Sequence, residues 1–241
     1  MEIEELRRLS AKEELSLNYI AKDEMISKIL FNLQDFDDII LKGGTAINRI
    51  YIKNKRFSED IDFDIISNGT VKEALAKTKE NVLKLKDFFE IAKPRIMNKT
   101  IRYDLYYLNP LNHKDRIMLE FKPVNKVLNY SKKIINYGFV PFEATLLNVY
   151  ELETLIAFKL ECLLTRMEGK DLFDLYYLLD LIHKPIKLPK EKRDLIINRL
   201  QLNDEEVKAM ANVINHYIPK NIRPNWGIFI SELIEKIKQI S

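Results

Sequence analysis

KGGTAINRIYIKNKRFSEDIDFDI, residues 42–65, is the stretch on which the fold turns. At its end Asp60, Asp62 and Asp64 alternate with Ile61, Phe63 and Ile65. A period of two is that of a strand, so the three carboxylates share one face and the apolar set faces a core. Same-face neighbours on a strand stand roughly 7 Å apart, close enough for two successive aspartates to converge on a metal centre. Like charges this near repel unless a cation compensates them, which points to a hard, oxygen-ligated Mg²⁺ or Mn²⁺. An EF-hand loop is excluded, because counting from Asp60 puts Ile65 where the glycine belongs and Val71 where the bidentate glutamate belongs. KGGTA is neither the GxxxxGK[ST] of a P-loop nor the GxGxxG of a Rossmann turn. Its glycines let backbone approach a phosphate, the amides of Gly44 and Thr45 can donate to it, and Thr45 can cap the helix that follows. Alone, the aspartates read equally well as the solvated face of a strand and the glycines as a plain strand-to-helix turn. Standing one short helix apart, they predict phosphate donors and metal ligands at one crevice.

Outward from this stretch, residues 38–42 (DIILK) form a short apolar strand that ends on the glycines, and residues 45–52 read as the helix opening after the turn. Upstream, Leu15, Ile20, Ile26, Ile29, Leu30 and Leu33 recur at helical spacing, so residues 11–33 are expected to form an amphipathic packing helix. Downstream, residues 71–91 read as a Lys-rich helix closed before Pro94. Residues 101–108 and 116–124 alternate on either side of a turn, as an antiparallel pair does. After a strand-like segment over 142–149 the period becomes helical, in five segments over 150–166, 171–183, 191–200, 204–218 and 225–240. The expected architecture is α+β, a mixed-sheet domain over residues 1–148 followed by a helical bundle over 149–241.

Composition narrows the class. A chain of 241 residues with 46% hydrophobic and 31% charged residues, 6 Gly and 8 Pro is expected to be folded throughout. The single cysteine, Cys162, cannot form an internal disulfide, and the three histidines show no zinc-site spacing. The acidic N-terminus lacks a leader pattern, and no run of 18 apolar residues occurs, so a cytoplasmic protein without a membrane span is expected. A formal net charge of +3 neither demands nor opposes a nucleic-acid partner.

In the form GGTA…R.SEDIDhD, with h apolar, residues 42–65 resemble the nucleotidyltransferase signature of GG followed by Dh[DE]h, and are similar to the AbiEii/AbiGii toxin family of type IV toxin–antitoxin systems, within the DNA polymerase β-like superfamily. A second block, from Lys159 through Arg166 to KDLFDLYYL, resembles the family's lysine helix and its RDhhDhh motif. The resemblance implies a polymerase β-like nucleotidyltransferase domain with a helical domain completing its site. It implies Asp60 and Asp62 as the metal pair, Gly43 and Gly44 (with Thr45) holding a triphosphate, and Lys159, Asp171 and Asp174 completing the site. GTP or CTP as donor, RNA and in several relatives the tRNA 3′ end as acceptor, and a cognate antitoxin are further implications. Lys170 stands where the family usually has Arg, which keeps the charge but loses the bidentate fork.

The second block also reads without the family. Lys159 lies in the stripe of Leu152, Leu155, Ile156, Cys162 and Leu163, with Arg166 on the same side. A charge there must snorkel, pair or face an anion; either a triphosphate or a structural salt bridge to Asp171 or Asp174 answers it. The third metal carboxylate that related polymerase-like enzymes take from a neighbouring strand is Glu120 or its rival Asp104, with Glu120 preferred on the more apolar and more central strand. Asp64 is left to a supporting or solvated role. The run Lys184, Lys187, Lys190, Lys192, Arg193 could grip RNA, but a solvated loop fits it better. The expected reaction is attack of an acceptor hydroxyl on the α-phosphorus of an NTP, releasing pyrophosphate. A metal-dependent phosphatase and a non-catalytic nucleic-acid-binding protein remain as alternatives.

Overall fold

The computed structural model describes residues 1–240 and divides into two compact units, Met1–Glu151 and Leu152 onward. The first is built on an eight-stranded mixed sheet: β1 (Ile39–Lys42), β2 (Ile61–Ile66), β3 (Glu90–Ile91), β4 (Arg95–Met97), β5 (Thr100–Leu108), β6 (Lys114–Val124), β7 (Tyr130–Ile135) and β8 (Thr145–Tyr150). The order is β3-β5-β6-β2-β1-β8-β7, with β4 also pairing β5. β2 lies between β1, its antiparallel partner, and β6, its parallel one. Alternation explains that central place. Ile61, Phe63, Ile65, Ile117, Leu119 and Phe121 are fully buried, and Phe63 stacks on Phe121 with ring centroids 5.5 Å apart. Helix α4 (Val71–Val82) packs on β5 and β6, and its Thr78 hydroxyl bonds the Tyr103 hydroxyl at 3.0 Å.

Several boundaries differ from those expected. The helix over residues 11–33 is two, α1 (Ile3–Glu13) and α2 (Leu17–Asn32), broken where Glu14 turns left-handed (φ 52°) and Ser16 caps α2 by accepting from the Tyr19 amide at 3.3 Å. The helix over 71–91 stops at Val82 and a 3₁₀ turn, because Glu90 and Ile91 pair with Tyr106 and Leu105 at the sheet edge. Strand β7, not anticipated, alternates only weakly and is held by its pairing with β8. The glycines begin the helix after β1 rather than precede it: α3 spans Gly43–Ala46 and continues as a π turn over Ile47–Tyr51. Thr45 is therefore no cap; its hydroxyl donates to the Asp60 carbonyl at 2.5 Å.

Behind this turn lies a buried ion pair. Arg49 reaches Asp23 Oδ1 at 2.8 Å and the Ser27 hydroxyl at 2.8 Å, while Asp23 Oδ2 accepts from the Val140 amide at 2.9 Å. Burial pushes the Asp23 carboxyl up and the Arg49 guanidinium down, each opposed by the other's charge.

The second unit contains α5 (Leu152–Thr165), α6 (Gly169–Leu179), α7 (Lys190–Arg199), α8 (Asp204–Ile214) and α9 (Trp226–Lys238). Asn203 and Glu206 form a capping box at the start of α8. An aromatic cluster joins α6 to α9, with Phe173 and Tyr176 stacked on Phe229 at 5.9 and 4.1 Å.

Candidate active site

Strand register lines up a row of charge across the sheet. Lys42 on β1 stands opposite Asp62 on β2, Asp62 opposite Glu120 on β6, Glu120 opposite Arg102 on β5, and Arg102 opposite Arg95 on β4. Residues directly opposite one another share a face, so the row reads plus, minus, minus, plus, plus across five strands. At its centre Asp62 and Glu120 face each other. Burial, then the Asp62 charge, raises the Glu120 carboxyl above its ordinary value, while Arg102 and Lys42 pull the other way.

The glycine turn is wedged against this pair. Gly43 has φ +69°, and a Cβ there would strike the Asp62 Oδ2 and come within 3.2 Å of its Cγ. At Gly44 a Cβ would fall 2.5 Å from an Arg56 guanidinium nitrogen and 2.7 Å from the Ser58 hydroxyl. Only glycines let the turn, Asp62 and the 56–58 segment close together. Asn48 fastens the same segment by donating to the Gly44 carbonyl (2.9 Å) and accepting from the Arg56 amide (3.1 Å).

The structure separates the three aspartates of β2. Asp60 lies just before the strand, half-buried, with its carbonyl tied to Thr45. Asp62 is in the charged row. Asp64 is buried, accepting from Lys42 and, at 2.6 Å, from the Tyr150 hydroxyl; of the supporting and solvated roles left to it, the solvated one falls. Burial and that hydrogen bond push the Tyr150 hydroxyl up.

Register also puts Glu120, and not Asp104, beside Asp62. Asp104 stands opposite Met118 and is occupied by arginines: Arg95 binds it, Arg102 lies at 3.3 Å and Arg116 at 3.7 Å. Among the described residues no three His, Cys, Asp or Glu side chains are gathered as a ready-made metal cage. The donor chemistry nevertheless fits a hard divalent cation: two carboxylates meet in register, and burial, then their repulsion, holds the Glu120 proton more tightly than usual.

In the second unit Lys159 is buried, with its ammonium 2.8 Å from both Asp171 Oδ1 and Asp174 Oδ2. Arg166 adds a two-pronged contact to Asp171, at 2.9 and 3.1 Å, while keeping half of its own side chain exposed. Both aspartates are fully buried. Burial works to raise the Asp171 carboxyl, but the Arg166 hydrogen bonds and the Lys159 charge outweigh it and hold the carboxyl below its ordinary value. Lys170 lies over the Tyr217 ring at 4.8 Å, a contact an ammonium makes without a guanidinium fork.

The family described as nucleotidyl transferase AbiEii toxin, type IV toxin–antitoxin system, matches residues 28–238. The chain belongs to that family. Solved structures of similar fold include JHP933 from Helicobacter pylori (TM-score 0.64, 20% identity, covering 94% of this chain and 93% of that one). The nucleotidyltransferase toxin MenT4 from Mycobacterium tuberculosis is similar at TM-score 0.62 and 15% identity, covering 100% of this chain and 91% of that one. An antigenic nucleotidyltransferase-like protein from Paracoccidioides brasiliensis follows at 0.52 and 13%, covering 84% of this chain and 96% of that one. None of the curated proteins compared matches the chain in sequence. Within this AbiEii chain, sequence reasoning missed Lys42, Arg95, Arg102 and Tyr150. Lys42 could have been found as the last residue of the strand beside Asp62. The two arginines could not, since only the pairing of distant strands brings them into the row.

Proposed function

We propose that this AbiEii-family chain moves a nucleoside monophosphate from an NTP, GTP or CTP by the family resemblance, to a hydroxyl of an RNA acceptor such as the tRNA 3′ end, acting as a toxin countered by a cognate antitoxin. The observation that carries the reading is the in-register Asp62–Glu120 pair with Gly43 packed against Asp62. Asp60, Asp62 and Glu120 are the residues that would hold Mg²⁺ or Mn²⁺, which when bound supplies charge stabilisation at the phosphate and acidifies the attacking hydroxyl. Glu120, its carboxyl raised by burial and Asp62, is the group to accept that hydroxyl's proton. Gly43, Gly44 and Thr45 offer backbone amides to the triphosphate at a helix start that no side chain caps. Within the helical unit, Lys159, Asp171 and Asp174 form a buried ion cluster that holds Arg166, and half-exposed Arg166 is the member assigned to phosphate.

The test incubates wild type and Asp62→Asn with total RNA, Mg²⁺ and each labelled NTP in turn. One NTP should label RNA, and the variant should lose roughly a hundredfold or more of that labelling. Equal labelling by the variant, or none by wild type, sinks the reading. Release of inorganic phosphate without labelled RNA would mark a phosphatase instead.

A further inference from the structure

The charged row is asymmetric about its acidic pair. On the β1 side stand Lys42, whose ammonium is taken by Asp64, and the glycine turn. On the β5 side, beyond Glu120, Arg102 and Arg95 stand directly opposite each other, a pairing of like charges that destabilises a sheet unless something compensates it. Asp104 compensates all three guanidiniums there, those of Arg95, Arg102 and Arg116, and Arg102 also reaches Glu120 at 3.9 Å, so two carboxylates face three arginines. The cluster therefore keeps an excess of positive charge. The same face of β5 and β6 continues through Tyr106, opposite Arg116, to Lys114, whose ammonium lies 4.6 Å over the Tyr106 ring and also pairs with Glu90 at 2.6 Å. Arg95, Arg116 and Lys114 leave about half of their side chains in solvent, at 54, 48 and 53%. A cleft of about 420 Å³ opens there, lined by Tyr106, Phe88, Lys86 and Lys114 together with Asp87 and Glu90.

We infer that this arginine–tyrosine–lysine track on the β5–β6 face is the docking path of the acceptor, and that the acceptor is single-stranded RNA whose backbone runs from beside Glu120 toward Lys114. The inference rests on the nucleotidyl-transfer reading above and adds the surface along which that RNA acceptor reaches the site. Guanidinium forks match phosphate oxygens, and the half-buried Tyr106 ring beneath Lys114 is an aromatic of the kind on which a base stacks without regard to sequence. From Glu120 to Lys114 the strand rises roughly 20 Å, room for a short run of nucleotides. The track leaves the acidic pair on the side opposite the glycine turn. A hydroxyl arriving along it and a triphosphate held on the glycines meet across Asp62 and Glu120 from opposite directions, as an in-line displacement requires.

A triphosphate docked on the arginines is the other source of the same phosphate chemistry, and the experiment separates the two. Binding of a fluorescein-labelled single-stranded RNA is followed by anisotropy across a salt series, and binding of labelled NTP with Mg²⁺ by equilibrium dialysis. The proteins are wild type, the double variant Arg95→Gln/Arg116→Gln, and Arg8→Gln on α1 as a control. The double variant should bind RNA about tenfold more weakly, with a salt slope shallower by about 1.4 for two lost phosphate contacts on a single strand. Its NTP binding should match wild type. Arg116→Gln alone, which removes the longest of the three Asp104 contacts, should show about half of the slope change if the double variant folds poorly. Unchanged RNA binding in the variants overturns the inference, as does loss of NTP binding in place of RNA. Wild type that binds NTP but not RNA overturns the track and leaves nucleotidyl transfer standing. Wild type that binds RNA through these arginines but no NTP supports the track and overturns the transfer reading.

Discussion

At Gly43 the backbone takes φ +69°, and the space a Cβ would need is filled by the Asp62 carboxylate. Gly43→Ala meets both obstacles. The backbone strain costs about 1 kcal/mol, and displacing Asp62 by a fraction of an ångström to an ångström is expected to lower transfer roughly a hundredfold. Urea unfolding and the labelling assay measure the two effects separately; full activity in a folded variant would remove Gly43 from the site. Glu120 makes a different prediction. Its folded-state carboxyl is raised above the ordinary 4.5, so its contribution to stability is fully present below that value and is lost as pH rises through the raised one. At pH 7.5 the ionised Glu120 is a cost, and Glu120→Gln should melt higher than wild type without added cation. The gap should close at pH 4.5, and it should narrow when Mg²⁺ stabilises wild type alone. A variant that melts lower at pH 7.5 would show that the Arg102 contact outweighs repulsion by Asp62.

At the scale of elements, the site depends on how the helix after β1 is held from behind. The π turn of Ile47–Tyr51 places Arg49 against Asp23 of α2, and Asp23 also receives the Val140 amide from the segment before β8. One buried carboxylate thus ties three segments of the sheet unit together. Asp23→Ala would leave the Arg49 charge buried with hydrogen-bond acceptors but no counter-ion, and should destabilise the sheet unit by about 3–5 kcal/mol in urea titrations. A loss under 1 kcal/mol would mean that Arg49 escapes to solvent. The Lys42–Asp64–Tyr150 contacts secure the other side of the acidic pair, joining β1, β2 and β8.

For the whole molecule, the two units carry different pH responses, and the chain's one tryptophan makes the helical unit visible. Trp226 on α9 packs against Phe173 and Phe229, with ring centroids 6.4 and 5.1 Å away. Asp171 in that unit is held below its ordinary value of 3.8, so its contribution is present above pH 3.8 and is lost as pH falls through the lower folded value. Acid titration of the full chain should therefore leave Trp226 emission native down to about pH 4 and lose it below. Asp171→Asn should weaken the helical unit at pH 7 and flatten the acid transition. An Asp171→Asn chain with the wild-type acid midpoint would show that the Lys159–Arg166 contacts do not govern it.

By itself the sequence determined the α+β class and membership of a nucleotidyltransferase toxin family, and it marked where the first unit's charged centre lies. These are local or pattern properties: alternation over Asp60–Ile65 divides β2 into two faces, and two adjacent glycines announce a backbone no other residue tolerates. It favoured Glu120 over Asp104 as the carboxylate beside Asp62 but could not decide between them. That depends on hydrogen-bonded register between β2 and β6, strands separated in the chain by α4, β3, β4 and β5, and a slip of one residue would turn Glu120 to the other face. Burial of Asp64 under Tyr150 of the distant β8 was hidden for the same reason, while the arginines around Asp104 awaited only the register of the neighbouring strands β4, β5 and β6. Lys159 shows the boundary between the two sources. Its apolar stripe announced a charge that needed partners, and only the packing of α5 against α6 decided that Asp171 and Asp174 both supply them.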